Sequence, residues 1–292
     1  MELLAIALVL VSALMHSFRD LFTKKSGDKQ AFVWWYELAA VVIYLPIFIY
    51  ILLSSGFPSQ MTLIISFIAS LVHFIYWVFL SKSLQHGDLS HVYPIMRSSP
   101  GPVLILSILF LHEKVTLLGV LGILLVMAGI YIVNMRKLTL SEILAPLRSI
   151  TREKSTQYAL AVLLAVSVYS VIDKFVVSSL VNPLIYIYLI NFFALVLFTP
   201  YIASTKHLAL LKSEWVNNKR TIILNGFIVI FSYALILLAF TMENASYVVG
   251  LRQLSVIFAV ILGGQLLREK NNRIRLLAAI ISFVGAFLIA IA

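Results

Sequence analysis

Cysteine is absent from all 292 residues, which excludes disulfides, thiolate metal sites and cysteine nucleophiles. Acid is scarce as well, with 12 Asp and Glu against 22 Lys and Arg. Charge of either sign makes up 12% of the chain while 62% is hydrophobic. A water-soluble core cannot hide that much apolar side chain, so the composition reads as an integral membrane protein. The sequence also lacks a Gly-rich phosphate loop, a nucleophile elbow, a His-Glu-x-x-His pair and a carboxylate pair at metal spacing. ATP-driven transport and enzymatic chemistry therefore lack their usual residues, and neither a cofactor nor a metal is expected. A net charge of +10 would suggest nucleic acid in a soluble protein. Here it fits basic loops on one side of a bilayer, with membrane lipids as neighbours and no nucleic-acid partner.

What is present is a series of continuous apolar runs of about 20 residues, the length of a helical span. They cover 3–22, 31–53, 61–81, 90–111, 116–134, 156–178, 183–203, 221–241, 246–267 and 274–292. The runs do not alternate as barrel strands would, so the expectation is an all-α membrane protein of ten transmembrane helices. The first run has no basic leader and continues into Arg19-Asp20, so it reads as a mature helix and not as a signal peptide.

The chain also reads as one unit written twice. Arg252 follows Arg97 by 155 residues, Glu269 follows Glu113 by 156, Asp173 follows Asp20 by 153 and Gly285 follows Gly129 by 156. The expected organisation is a first five-helix repeat over 1–135, a cytoplasmic linker over 136–155 and a second repeat over 156–292. Leu138 to Ile150 could form an amphipathic helix on the membrane surface or a solvated linker.

Lysine and arginine concentrate in alternate loops, at 24–29, Lys82, 136–154, 206–220 and 268–275, while the opposite loops hold little beyond Lys114. Cytoplasmic loops carry that excess, which predicts termini outside the cytoplasm. Five spans per repeat is an odd number, so the second repeat enters the membrane inverted, and corresponding loops carry opposite charge bias as inversion requires.

The central stretch runs from Gly87 to Lys114. It places Arg97 about 10 Å into a span at the helical rise per residue, beside Pro94 and a Pro100-Gly101-Pro102 break. An ionisable residue at bilayer depth is a functional hypothesis by default, and broken backbone there needs protein or a watery cavity around it. Arg97 and Arg252 are candidates to hold a carboxylate or phosphate. The opposing reading is that each is neutralised within its own half, Arg97 by Glu37 or Asp20 and Arg252 by Asp173. Ser98 and Ser99 would line a polar pocket with the freed carbonyls. The ninth span has no proline near Arg252, which predicts an asymmetric pocket. Tyr93, Trp35, Tyr76 and Tyr233 are candidates for the pathway wall, while aromatics near span ends fit the interfacial belt. His16, Glu37 and Asp20 are candidates for proton coupling. Lone histidines at positions 16, 73 and 91 are poor metal evidence.

These residues resemble the EamA family of the drug/metabolite transporter superfamily. The resemblance rests on His86 to Ser90, Val92 to Ile95, Arg97, Glu113-Lys114, and the second copy at Tyr247 to Val249, Leu251 to Gln253 and Glu269. It implies a secondary transporter in the bacterial inner membrane, most of whose relatives export small metabolites by alternating access. The expected cargo is a small anionic or zwitterionic molecule; the alternative is a carrier or flippase for a polyprenyl-phosphate-type lipid. The resemblance also implies peripheral fifth and tenth helices, which in some members support a homodimer. The second copy lacks the counterparts of Gly87-Asp88 and Pro94, which argues against symmetric use of the two halves.

Overall fold

The computed structural model describes residues 1–86, 89–133, 135, 153–258 and 272–292. Every regular element among them is helical: α1 Leu3–Lys25, α2 Lys29–Ser55, α3 Gln60–His86, α4 Leu89–Arg97, α5 Pro100–Leu111, α6 Leu117–Val133, α7 Lys154–Ser179, α8 Pro183–Thr205, α9 Leu208–Met242, α10 Ala245–Arg252 and α11 Asn272–Ala290. Seven helical segments are long and apolar enough to cross a membrane, counting Val92–Leu111 as one. Three shorter apolar helices, Leu117–Val133, Ala245–Phe258 and Leu276–Ala290, occupy the places of the fifth, ninth and tenth spans. The expected surface helix over 138–150 and the distal part of the ninth span lie outside the described residues.

Local chemistry sets the boundaries. Asp28 caps α2 by accepting from the Ala31 N–H at 2.9 Å, and Asn182 caps α8 by accepting from the Leu184 N–H at 2.8 Å, with Pro183 at the first helical position. Both devices satisfy donors that a helix start leaves orphaned. The fourth span is broken as expected: α4 ends at Arg97, Ser98 and Ser99 form a turn, and Pro100 starts α5. The ninth span differs from expectation. With no proline it also interrupts directly after its arginine, at Gln253, before helix resumes over 254–258. The backbone break is therefore common to both halves. Each arginine is the last residue of its helix, where the negative end of the helix dipole favours a cation.

The stretch 208–220 departs further from the loop reading. It is the first third of α9, a helix of 35 residues, whose length of about 52 Å at 1.5 Å per residue exceeds a ~30 Å hydrocarbon core. Leu211 and Glu214 on this extension are buried. Glu214 accepts from the Asp28 N–H at 3.1 Å, and Leu211 O accepts from Trp35 Nε1 at 2.9 Å. Tertiary contacts with Asp28 in the α1–α2 connection and Trp35 on α2 thus hold as helix a segment whose charges alone suggest a loop.

Packing runs between the halves more than within them. α1 lies against α9 and α10, while its counterpart α7 lies against α3, α4 and α5. α2 meets α9 as α8 meets α3, α2 meets α8, and α6 meets α11. Exchanging the halves leaves these principal contacts unchanged, as a pseudo-two-fold relation between inverted repeats would require. The α6–α11 contact is tight because it is built on small residues. A Cβ on Gly285 would sit 2.6 Å from Gly122 O and 2.7 Å from Val126 N, and one on Gly129 would collide with Ser282. This is backbone-to-backbone packing of the kind glycine permits in membranes.

The outer faces carry exposed Leu45, Leu53, Ile105, Phe110, Leu164 and Phe287, while His16, Glu37, Asp173 and Asn225 are buried. Apolar outside and polar inside is the arrangement a bilayer selects.

Candidate functional site

The broken fourth span, its counterpart and α1 bring three guanidiniums to one imidazole. On α1, His16, Arg19 and Asp20 stand three and four residues apart and so share a face. Arg97 Nη1 donates to His16 Nε2 at 2.9 Å, and Arg19 Nη2 approaches the same nitrogen at 3.1 Å. A guanidinium can only donate, so Nε2 is the acceptor and the ring proton resides on Nδ1. Arg252 Nη2 approaches that Nδ1 at 3.4 Å, where a donor faces a donor and no hydrogen bond can form.

Asp20 is the acid of this cluster. It accepts from Arg97 Nη2, from Arg19 Nη2 at 2.9 Å and from Tyr93 OH at 2.5 Å. Arg97 also donates to Tyr93 OH at 3.0 Å. Of the two acids proposed to neutralise Arg97, the structure selects Asp20. Glu37 is fully buried on α2, and neither carboxyl oxygen has a hydrogen-bond partner among the described residues.

The pairing expected for Arg252 is not made. Asp173 accepts from Tyr233 OH at 2.5 Å and Tyr186 OH at 2.6 Å and lies 3.1 Å from His73 Nε2. These three contacts are to two tyrosines and a histidine, and the arginine of its own half is not among them. Among the described residues Arg252 forms no ion pair, and its buried Nε has no hydrogen-bond partner. What it has is the Tyr233 ring, 5.1 Å from its carbon to the ring centroid. Such a cation–π contact contributes ~0.5–2 kcal/mol, below what an ion pair offers a desolvated charge.

Two cavities meet at this residue. One is bounded by His16, Tyr76, Tyr93, Arg97, Ser99 and Arg252, with Val162 and Val166 of α7 on its apolar side. The other is bounded by Arg19, His73, Tyr76, Asn191, Tyr233 and Arg252. Tyr76, Tyr169 and Arg252 are common to both. The structure therefore brings together Arg97, Arg252, Tyr76, Tyr93, Tyr233, Ser99, His16, Asp20 and Asp173.

Three candidates fall outside: Glu37, which lines neither cavity, Trp35 and Ser98. Trp35 packs on Trp215, with ring centroids 4.7 Å apart, and donates to Leu211 O away from both cavities. The Ser98 hydroxyl is turned back onto Pro94 O at 2.7 Å and satisfies a helix carbonyl. Sequence reasoning missed Arg19, Tyr169, Tyr186 and Gln253. Arg19 had a readable signal in its helical spacing from His16. The others act across helices, where no local spacing applies. Among the described residues no group of three or more His, Asp or Glu could hold a metal ion.

Comparison with known proteins adds the following. The EamA-like transporter family matches the chain twice, over residues 3–135 and 155–291. No curated protein matches it. Twenty-nine chains of solved structures match. One, described as the crystal structure of a protein, shares the fold with a TM-score of 0.74 at 13% identity, over 98% of this chain and 96% of that one.

Proposed function

Because this chain belongs to the EamA-like transporter family, a family of multi-pass membrane transporters, we propose that it is a secondary transporter of a small anionic or zwitterionic metabolite. It works by alternating access between repeats 1–135 and 156–292, which form ten spans joined by a cytoplasmic linker over 136–155. Both termini lie outside the cytoplasm, the membrane is the bacterial inner membrane, and the direction is export.

The observation that carries the cargo's charge is Arg252. It is buried at 7% exposure, ends a helix inside the bundle, has no carboxylate partner among the described residues and borders both cavities. An uncompensated guanidinium at that depth is costly, and an arriving anion removes the cost while the planar fork orients it. Alternating access is supported by the packing, because α1 and α7 each lie against helices of the other half, so rocking one repeat on the other remodels the walls around Arg252.

The experiment is a thermal-shift screen of purified protein against metabolites and phospholipids, followed by Arg252→Gln on each hit. Stabilisation by anionic or zwitterionic metabolites that disappears in the variant is the expected result. Hits confined to phospholipids, or unaffected by the substitution, would sink the reading.

A further inference from the structure

His16, Asp20 and Glu37 are the first repeat's candidates to carry a proton, and one of them has no other employment. His16 accepts from Arg97 at 2.9 Å and stands 3.1 Å from Arg19, so its one acceptor nitrogen is taken. Asp20 accepts from Arg97, Arg19 and Tyr93 and serves as the carboxylate of that cluster. Glu37 differs from both. It is fully buried, neither carboxyl oxygen has a hydrogen-bond partner, and among the described residues it forms no ion pair. Arg19 of α1 is the charged group that acts on it, and Arg19 is itself engaged by Asp20 at 2.9 Å and donates to Tyr76 OH at 3.4 Å. Asp20 and Tyr76 also act on the neighbouring Tyr36. From the second repeat, α9 crosses α2 at Gly226, where a Cβ would lie 2.9 Å from Ala40 N and 3.0 Å from Tyr36 O. Beside it the buried Asn225 has its Oδ1 without a donor, and α8 meets the next turn of α2 through Tyr188, clustered with Val41. An ionised carboxyl with no donor in such a place is costly. A proton on Glu37 removes the charge and supplies a donor where the orphan oxygens are all acceptors.

We infer that Glu37 is a proton-binding site, occupied in this packed arrangement and emptied when the repeats part. This rests on the rocking of one repeat on the other and adds the ion that moves with it. Glu37 lines neither cavity, and its cover comes from the other half, because α2 lies principally against α9 and α8. Motion between the repeats therefore uncovers this acid. Once hydrated, its hydroxyl gives the proton to water and leaves a solvated carboxylate. Repacking takes a proton back, since the acid re-enters a place that offers it no donor. Each closure thus takes up one proton at Glu37. An ionised Glu37 would also compete with Asp20 for Arg19, which ties this proton to the cluster that holds Arg97 and His16.

The test needs no cargo. Infrared difference spectra of the purified wild type and Glu37→Gln at about pH 8 read the carbonyl stretch of a protonated carboxyl, at a pH where ordinary Asp and Glu side chains, titrating near ~4, are ionised. The wild type should show such a band and Glu37→Gln should lack it. If Glu37→Gln fails to fold, Glu37→Asp makes the same assignment, because its band shifts instead of vanishing. Spectra identical in that region would overturn the proton site. Transfer of the wild type into heavy water then times exchange of the proton, since the band moves on deuteration. Asp28 and Lys206 pair across the repeats at 2.6 Å. Joining Asp28→Cys to Lys206→Cys with a short bismaleimide should slow the exchange roughly tenfold or more by suppressing opening at that end. Exchange as fast in the joined protein as in the unjoined one would overturn the link between Glu37 and the motion. The anion reading of Arg252 fails on a separate result, thermal shifts that persist in Arg252→Gln, in which Glu37 takes no part.

Discussion

Arg97→Gln and Arg252→Gln should have opposite effects on the stability of the empty protein. Removing Arg97 takes one donor from Asp20, which keeps Arg19 at 2.9 Å and Tyr93 at 2.5 Å. Orphaning a buried charge outright costs ~3–5 kcal/mol; with two donors remaining, about 1–3 kcal/mol is the expected loss. At ~2–4 °C per kcal/mol for chains approaching this size, the melting temperature falls by roughly 2–12 °C. Removing Arg252 orphans no carboxylate, because Asp173 is satisfied by Tyr186, Tyr233 and His73. It also deletes a buried cation with no ion pair among the described residues. The melting temperature of Arg252→Gln should therefore hold or rise by a few degrees while anion binding is lost, as expected where a site keeps function at the expense of stability. The assay is thermal unfolding of purified apo protein in detergent, in anion-poor buffer. If Arg252→Gln melts as early as Arg97→Gln, Arg252 has a structural partner and the reasoning fails.

Gly285→Leu should destabilise by about 2–3 kcal/mol or more, since its side chain would meet Gly122 O and Val126 N, backbone atoms that cannot turn aside; thermal unfolding reads the loss, and a wild-type melting temperature would contradict it. Asp173→Asn should lose about 1–3 kcal/mol, because two tyrosine hydroxyls exchange an ionised acceptor for a neutral one, and adding Tyr186→Phe should recover part of it in a double-mutant cycle. The absence of cysteine makes cross-linking clean. Asn244 Nδ2 donates to Lys114 O at 2.9 Å and Glu113 Oε1 accepts from the Ala245 N–H at 2.7 Å, fastening the repeats at one end. Oxidising the Lys114→Cys, Asn244→Cys pair should stop transport, reduction should restore it, and unimpeded transport through the cross-linked protein would argue against rocking.

The sequence disclosed spans, repeats and the two arginines because each is a local or periodic signal: runs of apolar residues, a recurrence near 155 residues, and charge inside an apolar segment. Proline announced the break after Arg97. The matching break after Arg252 has no proline, so it was invisible until the backbone was seen. The α9 extension over 208–220 reads as a loop because Lys212, Glu214, Lys219 and Arg220, with Ser213, Asn217 and Asn218, break its apolar pattern. Burial of Leu211 and Glu214 against the first repeat is what makes it helix, and that burial belongs to tertiary structure. Pairing was the least legible feature. Asp20 and Asp173 are repeat counterparts with equal claims on their arginines, yet one binds Arg97 and the other is held by Tyr186, Tyr233 and His73. Choosing between those outcomes depends on which helices cross at that depth. Arg19 stands at the end of an apolar run, where a basic residue ordinarily marks the interface, and only its spacing from His16 hints at the cluster it joins.

The most direct test of an anchoring role for Arg252 is counterflow in proteoliposomes, using a labelled form of the anion that gives the largest thermal shift. Saturable exchange by the wild type and none by Arg252→Gln, with its melting temperature unchanged or raised, is the predicted result. Exchange by the variant at the wild-type rate would contradict it.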